Sequence, residues 1–188
     1  MPELIPEPWR GFLEALDAIA IGPVDFHCIG GFVVTKKFGF VRETRDIDVL
    51  SICPSNQQNE FLQKGAEGSE LHKRHKVFLD VVTVMRFFPE DYDSRLTEMY
   101  PKQLKHIRLL APDAYDLALM KLDRNQDRDI EDVKFLAGER LIISAELKQR
   151  YDTEMRPYVP MAERTLDITL RFWMEMIDEV QGQQTEQT

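Results

Sequence analysis

Two carboxylates alternate with branched apolar residues in Asp46-Ile47-Asp48-Val49-Leu50-Ser51-Ile52, and this short stretch constrains the chain more than any other. Alternation with a period of two marks a strand with two unlike faces. Ile47, Val49 and Ser51 are expected to point one way, and Asp46, Asp48 and Leu50 the other. Carboxylates two residues apart on one face have Cα atoms about 6.5–7 Å apart. Like charges that close repel unless a cation lies between them or they share a proton. A hard divalent ion such as magnesium is the natural cation, because it is held by one or two carboxylates together with substrate phosphates.

Upstream, the apolar run Asp25 to Ile29 reads as a strand that enters Gly30-Gly31, and Phe32 to Phe38 follows with one or two helical turns stopped at Gly39. A glycine pair between strand and helix lets backbone approach a phosphate, and the helix start offers free N–H groups. Downstream, Val77 to Met85 is the strongest strand pattern in the chain, and it carries one carboxylate, Asp80. Two readings of Asp80 stand side by side. It lies at a sheet edge or pairs with an arginine, or it faces the same site as Asp46 and Asp48, since an unpaired charge among apolar neighbours is expensive to bury.

The remaining elements follow from periodicity and punctuation. Trp9, Phe12, Leu13, Leu16, Ile19 and Ala20 predict an amphipathic helix over residues 8–20, ended by Gly22-Pro23. Pro54 to Ser69 reads as a loop with a helical turn around Phe61 and Leu62, and the segment from Pro89 to Tyr100 as a polar connection. Leu104 to Leu110 closes the strands. Helices are then expected to start at Pro112-Asp113, to run from Arg128 to Leu136, to run from a Ser144 cap to Tyr151, and to span Leu166 to Ile177, with a frayed polar tail from Gln181. The fold class is therefore α+β: a small mixed sheet flanked by helices over residues 1–110, a C-terminal helical lobe over 111–180, and a tail over 181–188.

Composition narrows the function classes. No run approaches the ~20 apolar residues of a membrane span, and the N-terminus lacks the pattern of a signal peptide, so no membrane partner and a cytoplasmic location are expected. Cys28 and Cys53 both lie in apolar runs, which fits reduced, buried thiols. A net charge of −9, most of it carried after residue 110, argues against a surface that grips nucleic acid throughout. Lys36, Lys37, Arg42 and Arg45 nonetheless crowd the connection between the glycines and the carboxylates. Lys73-Arg74-His75-Lys76 form a second basic group, read either as part of a local basic rim or as solvated loop charges.

Gly30-Gly31, the spacer to Asp46-Ile47-Asp48-Val49 and the acidic strand at Asp80 together resemble the nucleotidyltransferase fold of the DNA polymerase β superfamily. More narrowly, Gly39, the Arg42-x-Thr44-x-Asp46-x-Asp48 run, and Lys121, Arg124, Arg128-Asp129 and Asp132 are similar to bacterial nucleotidyltransferase-like proteins related to the toxin of type IV abortive-infection systems. Phe32 and Phe38 depart from that pattern. The resemblance implies a nucleotidyltransferase core that moves a nucleoside monophosphate from a nucleoside triphosphate to a hydroxyl of RNA, protein or a small molecule, in a toxin-like role with an antitoxin partner. It implies Asp46, Asp48 and Asp80 as catalytic and metal residues for magnesium, as two ions with the bound nucleotide. Gly30, Gly31, Arg42, Thr44, Lys121 and Arg124 are implied as phosphate contacts. Arg128 is implied as another candidate for the second anion contact, and for Arg128, Asp129 and Asp132 the alternative is a surface ion-pair network that fixes the helical lobe. For the whole chain the alternatives are a catalytically silent binding or interaction module, and an α/β domain whose carboxylates serve another metal-assisted reaction.

Overall fold

A computed structural model describes residues 4–82 and 86–185 of the chain. The chain divides into two compact units, one of Met1–Thr83 with Leu96–Ala111, the other of Val84–Arg95 with Pro112–Thr188.

The first unit is a five-stranded mixed sheet with helices. Its strands are β1 (Val24–Ile29), β2 (Asp46–Cys53), β3 (Phe78–Val81), β4 (Thr97–Met99) and β5 (Ile107–Ala111), in the order β3-β2-β1-β5-β4. β1 runs antiparallel to β2 and parallel to β5, while β2 and β3 are parallel. The helices are α1 (Trp9–Asp17), α2 (Gly30–Lys36), α3 (Gln58–Gly65) and α4 (Glu70–His75). α1 forms because Trp9, Phe12, Leu13 and Leu16 make one fully buried stripe. Trp9 meets Phe32 edge to face at 5.1 Å, and Phe26 of β1 meets Phe61 of α3 in the same way.

Several elements differ from the sequence reading. The stretch from Pro54 to Ser69 is mostly helix rather than loop, and the basic group at Lys73 to His75 lies in α4, where Ser69 caps the helix by accepting from the His72 backbone N–H. β4 lies in what reads as a polar connection. Along β2 the expected alternation holds as far as Val49. His27 pairs with Ser51 and Cys28 with Val49, so Leu50 is an extra residue and the phase flips beyond it. Ile52, not Ser51, is therefore the next buried residue after Val49. Cys53 falls at the strand end and is exposed, unlike buried Cys28. The β3 pattern stops at Val81, and Thr83 to Met85 of the expected strand lie outside the described residues.

The second unit is helical: α5 (Ala114–Lys121), α6 (Asp127–Gly138), α7 (Ser144–Arg150) and α8 (Thr165–Thr185), with a π-helical turn at Tyr151–Met155. Leu117, Leu136, Leu147, Tyr151, Trp173 and Ile177 form its core. Asp113 caps α5 by accepting the Asp116 N–H at 2.8 Å. Ser144 does not cap α7; it is the first helical residue, and its hydroxyl donates to Asp178 of α8. The helix continues through the expected tail, because the Gln181 amide donates to the Ala137 and Ile142 carbonyls and Gln184 to that of Gly138. The architecture as a whole is a mixed sheet with helices followed by a helical part, as the sequence pattern leads one to expect.

Candidate active site

The site grows from the place where β1 ends. Ile29, the last residue of β1, pairs across the antiparallel ladder with Asp48. The chain then turns at Gly30, whose φ of +66° lies in the left-handed region that favours glycine. This turn brings the backbone against a carboxylate: a Cβ at Gly30 would stand 2.0 Å from Asp48 Oδ2 and 2.9 Å from its Cγ. One residue on, a Cβ at Gly31 would stand 2.8 Å from Nη2 of Arg42 and 3.2 Å from Oγ1 of Thr44. The Thr44 hydroxyl donates to Asp46 Oδ1 at 3.0 Å. The Arg42 guanidinium lies over the Phe40 ring, 5.9 Å from its centroid.

Asp80 completes this set through register. β2 and β3 pair in parallel with Asp48 opposite Asp80 and Asp46 opposite Phe78, so the three carboxylates share one face of the sheet. Neighbouring strands lie about 4.8 Å apart, which makes Asp48 and Asp80 direct neighbours. β3 is also the edge strand and Asp80 is exposed, so the charge keeps its water. Edge placement and a shared face, the two readings of Asp80, thus coexist. Asp46 and Asp48 are half-buried. Beneath Asp48 the Cys28 thiol is fully buried, and burial, followed by the charge of Asp48, pushes its pKa up, so it stays protonated.

The structure thus brings Gly30, Gly31, Arg42, Thr44, Asp46, Asp48 and Asp80 together in one unit. Among the described residues, no three His, Cys, Asp or Glu side chains already converge in a way that could hold an ion. The carboxylate set still suits magnesium, a hard ion that takes one or two carboxylates and completes its shell with phosphate oxygens and water. The missing side chain at Gly30 makes room for the Asp48 carboxylate itself, which stands where a Cβ would be.

Lys121 and Arg124 belong to the helical unit and form a cluster of their own. Lys121 is only 4 % exposed and donates to Asp129 Oδ1 at 3.1 Å and Asp132 Oδ2 at 2.8 Å. Arg124, 53 % exposed at its side chain, grips Asp129 with two bonds of 2.8 and 2.6 Å. The backbone N–H of Gln126 also donates to Asp129. Burial pushes the Asp129 carboxyl up, but the Arg124 bonds and the Lys121 charge outweigh it and hold the group below the ordinary aspartate value. This network is buried rather than superficial, and Arg128 is exposed outside it.

Sequence reasoning missed two further ionic centres. In the first unit, Asp17 accepts the backbone N–H groups of Lys105, His106 and Ile107 at 2.7–2.9 Å and so fixes the start of β5. In the second, fully buried Asp116 is bound by Arg95 and Arg150, which also bond Glu154, while Arg150 reaches Asp113. The i,i+4 spacing of Arg150 and Glu154 is the one signal of that network in the sequence.

No curated protein and no solved structure matches the chain. A family model described as nucleotidyltransferase of unknown function (DUF6036) matches residues 20–181, which include every carboxylate and glycine of the site. The chain therefore belongs to this nucleotidyltransferase family.

Proposed function

We propose that the protein transfers a nucleoside monophosphate from a nucleoside triphosphate to an acceptor hydroxyl, using magnesium and the site built on Gly30, Gly31, Arg42, Thr44, Asp46, Asp48 and Asp80. The observation that carries this reading is the cradle at Gly30, where backbone without a side chain lies against Asp48 while Asp46 and Asp80 share its sheet face. The N–H groups around Gly30 and Gly31 would bind phosphate oxygens, and Arg42, beside Gly31, would add a planar cation. Thr44 would keep Asp46 in place through its hydroxyl. Asp80, exposed beside Asp48, would accept the proton of the attacking hydroxyl. The new bond joins that oxygen to the α-phosphorus, and the bond to the bridging oxygen breaks, releasing pyrophosphate. Asp46 and Asp48, with Asp80 for a second ion, would hold magnesium, which would supply charge neutralisation for the phosphates. Arg124, bound twice to Asp129, would brace that carboxylate within the helical unit. Lys121, whose charge is already matched by Asp129 and Asp132, would chiefly hold that corner of the helical unit in shape.

The test combines binding and transfer. Magnesium with a triphosphate should raise the melting temperature, since a ligand held only by the folded state at 100 times its Kd adds about 2.7 kcal/mol. The double variant Asp46→Asn/Asp48→Asn should lose that rise, and Asp80→Asn should keep it while transfer of α-labelled nucleotide to cell-extract acceptors falls by about 10²–10⁴. A rise that survives the double variant sinks the site assignment. A normal rise with no labelled product from any of the four triphosphates selects the silent binding module.

A further inference from the structure

The helical unit contains an open concavity of about 450 Å³, formed by residues 86–93 together with Met155 and Tyr158. That volume lies within the range of small-molecule sites. Its floor includes Met155, fully buried at the end of the π-helical turn Tyr151–Met155, a rare geometry often found beside functional sites. Four lining residues carry aromatic rings: Phe87, Phe88, Tyr92 and Tyr158. Phe88 and Tyr92 meet edge to face at 5.7 Å, yet Phe88 stays 43 % exposed and Tyr158 57 %. The rings thus present surface to whatever enters.

The charge of the lining is as informative as its shape. Glu90, Asp91 and Asp93 stand among the rings, and the one cation of the lining, Arg86, is committed to Asp123 and Glu163 with its guanidinium over Phe87. Glu90 holds the Tyr158 hydroxyl, whose pKa it raises, so that ring is pinned at the mouth. Asp91 and Asp93 are exposed and form no ion pair among the described residues. Aromatic faces attract cations through their quadrupole, and unpaired carboxylates repel anions. A nucleotide would also stack on such rings, but its phosphates would meet three acids.

We propose that this cavity binds an organic cation, an ammonium group on an apolar body, with the ammonium against the rings of Phe88 and Tyr158 and balanced by Asp91 and Asp93. The same chemistry is offered by a free small amine and by a lysine side chain of another protein. The proposal is independent of the nucleotide site.

Calorimetric titration of the full chain at constant ionic strength tests it with three probes: benzyltrimethylammonium chloride, N-acetyl-lysine methylamide and sodium benzoate. Saturable binding of at least one cation, with none of benzoate, is the expected result, and the tighter cation identifies the source. Asp91→Asn/Asp93→Asn, both at exposed positions, and separately Phe88→Ala, should each weaken the cation about tenfold while circular dichroism is unchanged. Benzoate binding as well as the cations, no saturable heat from either cation, or unchanged affinity in the aspartate double variant would overturn the proposal.

Discussion

Gly30 and Asp48 occupy one another's space: a Cβ on the first would lie 2.0 Å from a carboxylate oxygen of the second. Two costs follow for Gly30→Ala. The backbone is left-handed there, which costs an L-residue about 1–2 kcal/mol, and the Asp48 carboxylate must swing out of its position. Gly31→Ala is a sharp comparison, because Gly31 has helical backbone and its near neighbours are the far ends of Arg42 and Thr44, which can move. Urea unfolding should therefore show a loss of about 1–3 kcal/mol for Gly30→Ala and a change within about 1 kcal/mol for Gly31→Ala. Equal losses for the two would mean that the turn does not constrain the site. Both variants should weaken the thermal shift by triphosphate, Gly31→Ala through displacement of Arg42 and Thr44.

Asp17 holds the first unit together by a different route. Its carboxylate lies 8 % exposed at the end of α1 and accepts three consecutive N–H groups at the entry to β5, almost ninety residues away. Truncation to alanine leaves those donors without a partner, and each orphaned donor costs about 1–3 kcal/mol where water cannot replace the acceptor. With partial access of water, Asp17→Ala should lose about 2–4 kcal/mol in urea unfolding, and Asp17→Asn, which keeps one carbonyl oxygen, should lose less. If the asparagine and alanine variants are equally stable to within 0.5 kcal/mol, the three bonds do not carry the stability assigned to them.

The parts of the fold that were legible in the sequence are those that local period and punctuation determine. The stripe of α1, the alternation of β2 as far as Val49 and the glycine turn each lie within about ten residues. What was not legible depends on pairing partners. The phase change at Leu50 is set by the register with β1, and nothing in β2 alone announces it. α3 was hidden because Gly65 reads as a loop residue. In the structure Gly65 is helical, and its missing side chain lets Leu16, Leu79 and Phe12 approach to where a Cβ would be 3.2–3.4 Å away. β4 has three residues, too few to show a period. Asp80 was visible as a carboxylate in a strand, but only the β2–β3 register makes it the neighbour of Asp48. The Asp17 and Asp116 centres join segments far apart in the chain, where no spacing rule applies.

The cluster of Lys121, Arg124, Asp129 and Asp132 gives a pH-dependent prediction. Asp129 and Asp132 are fully buried and Lys121 nearly so, so removing one partner leaves an uncompensated charge in a dry place. Lys121→Met and Asp129→Asn should each cost about 3–5 kcal/mol near neutral pH. The sign of the pH effect follows from Asp129, whose folded pKa is held below its unfolded value of about 3.9 by the Arg124 bonds and the Lys121 charge, against the opposing effect of burial. A carboxylate with a depressed folded pKa contributes stability that is present above the unfolded pKa and is lost as pH falls through the folded one. The stability gap between the native protein and Asp129→Asn should therefore be constant from about pH 7 to pH 5 and shrink as the pH falls below about 4. Urea unfolding of both proteins across that range measures it. A gap that stays constant down to about pH 3 would show that Asp129 titrates alike in the folded and unfolded chains, and so that Arg124 and Lys121 do not stabilise its charge.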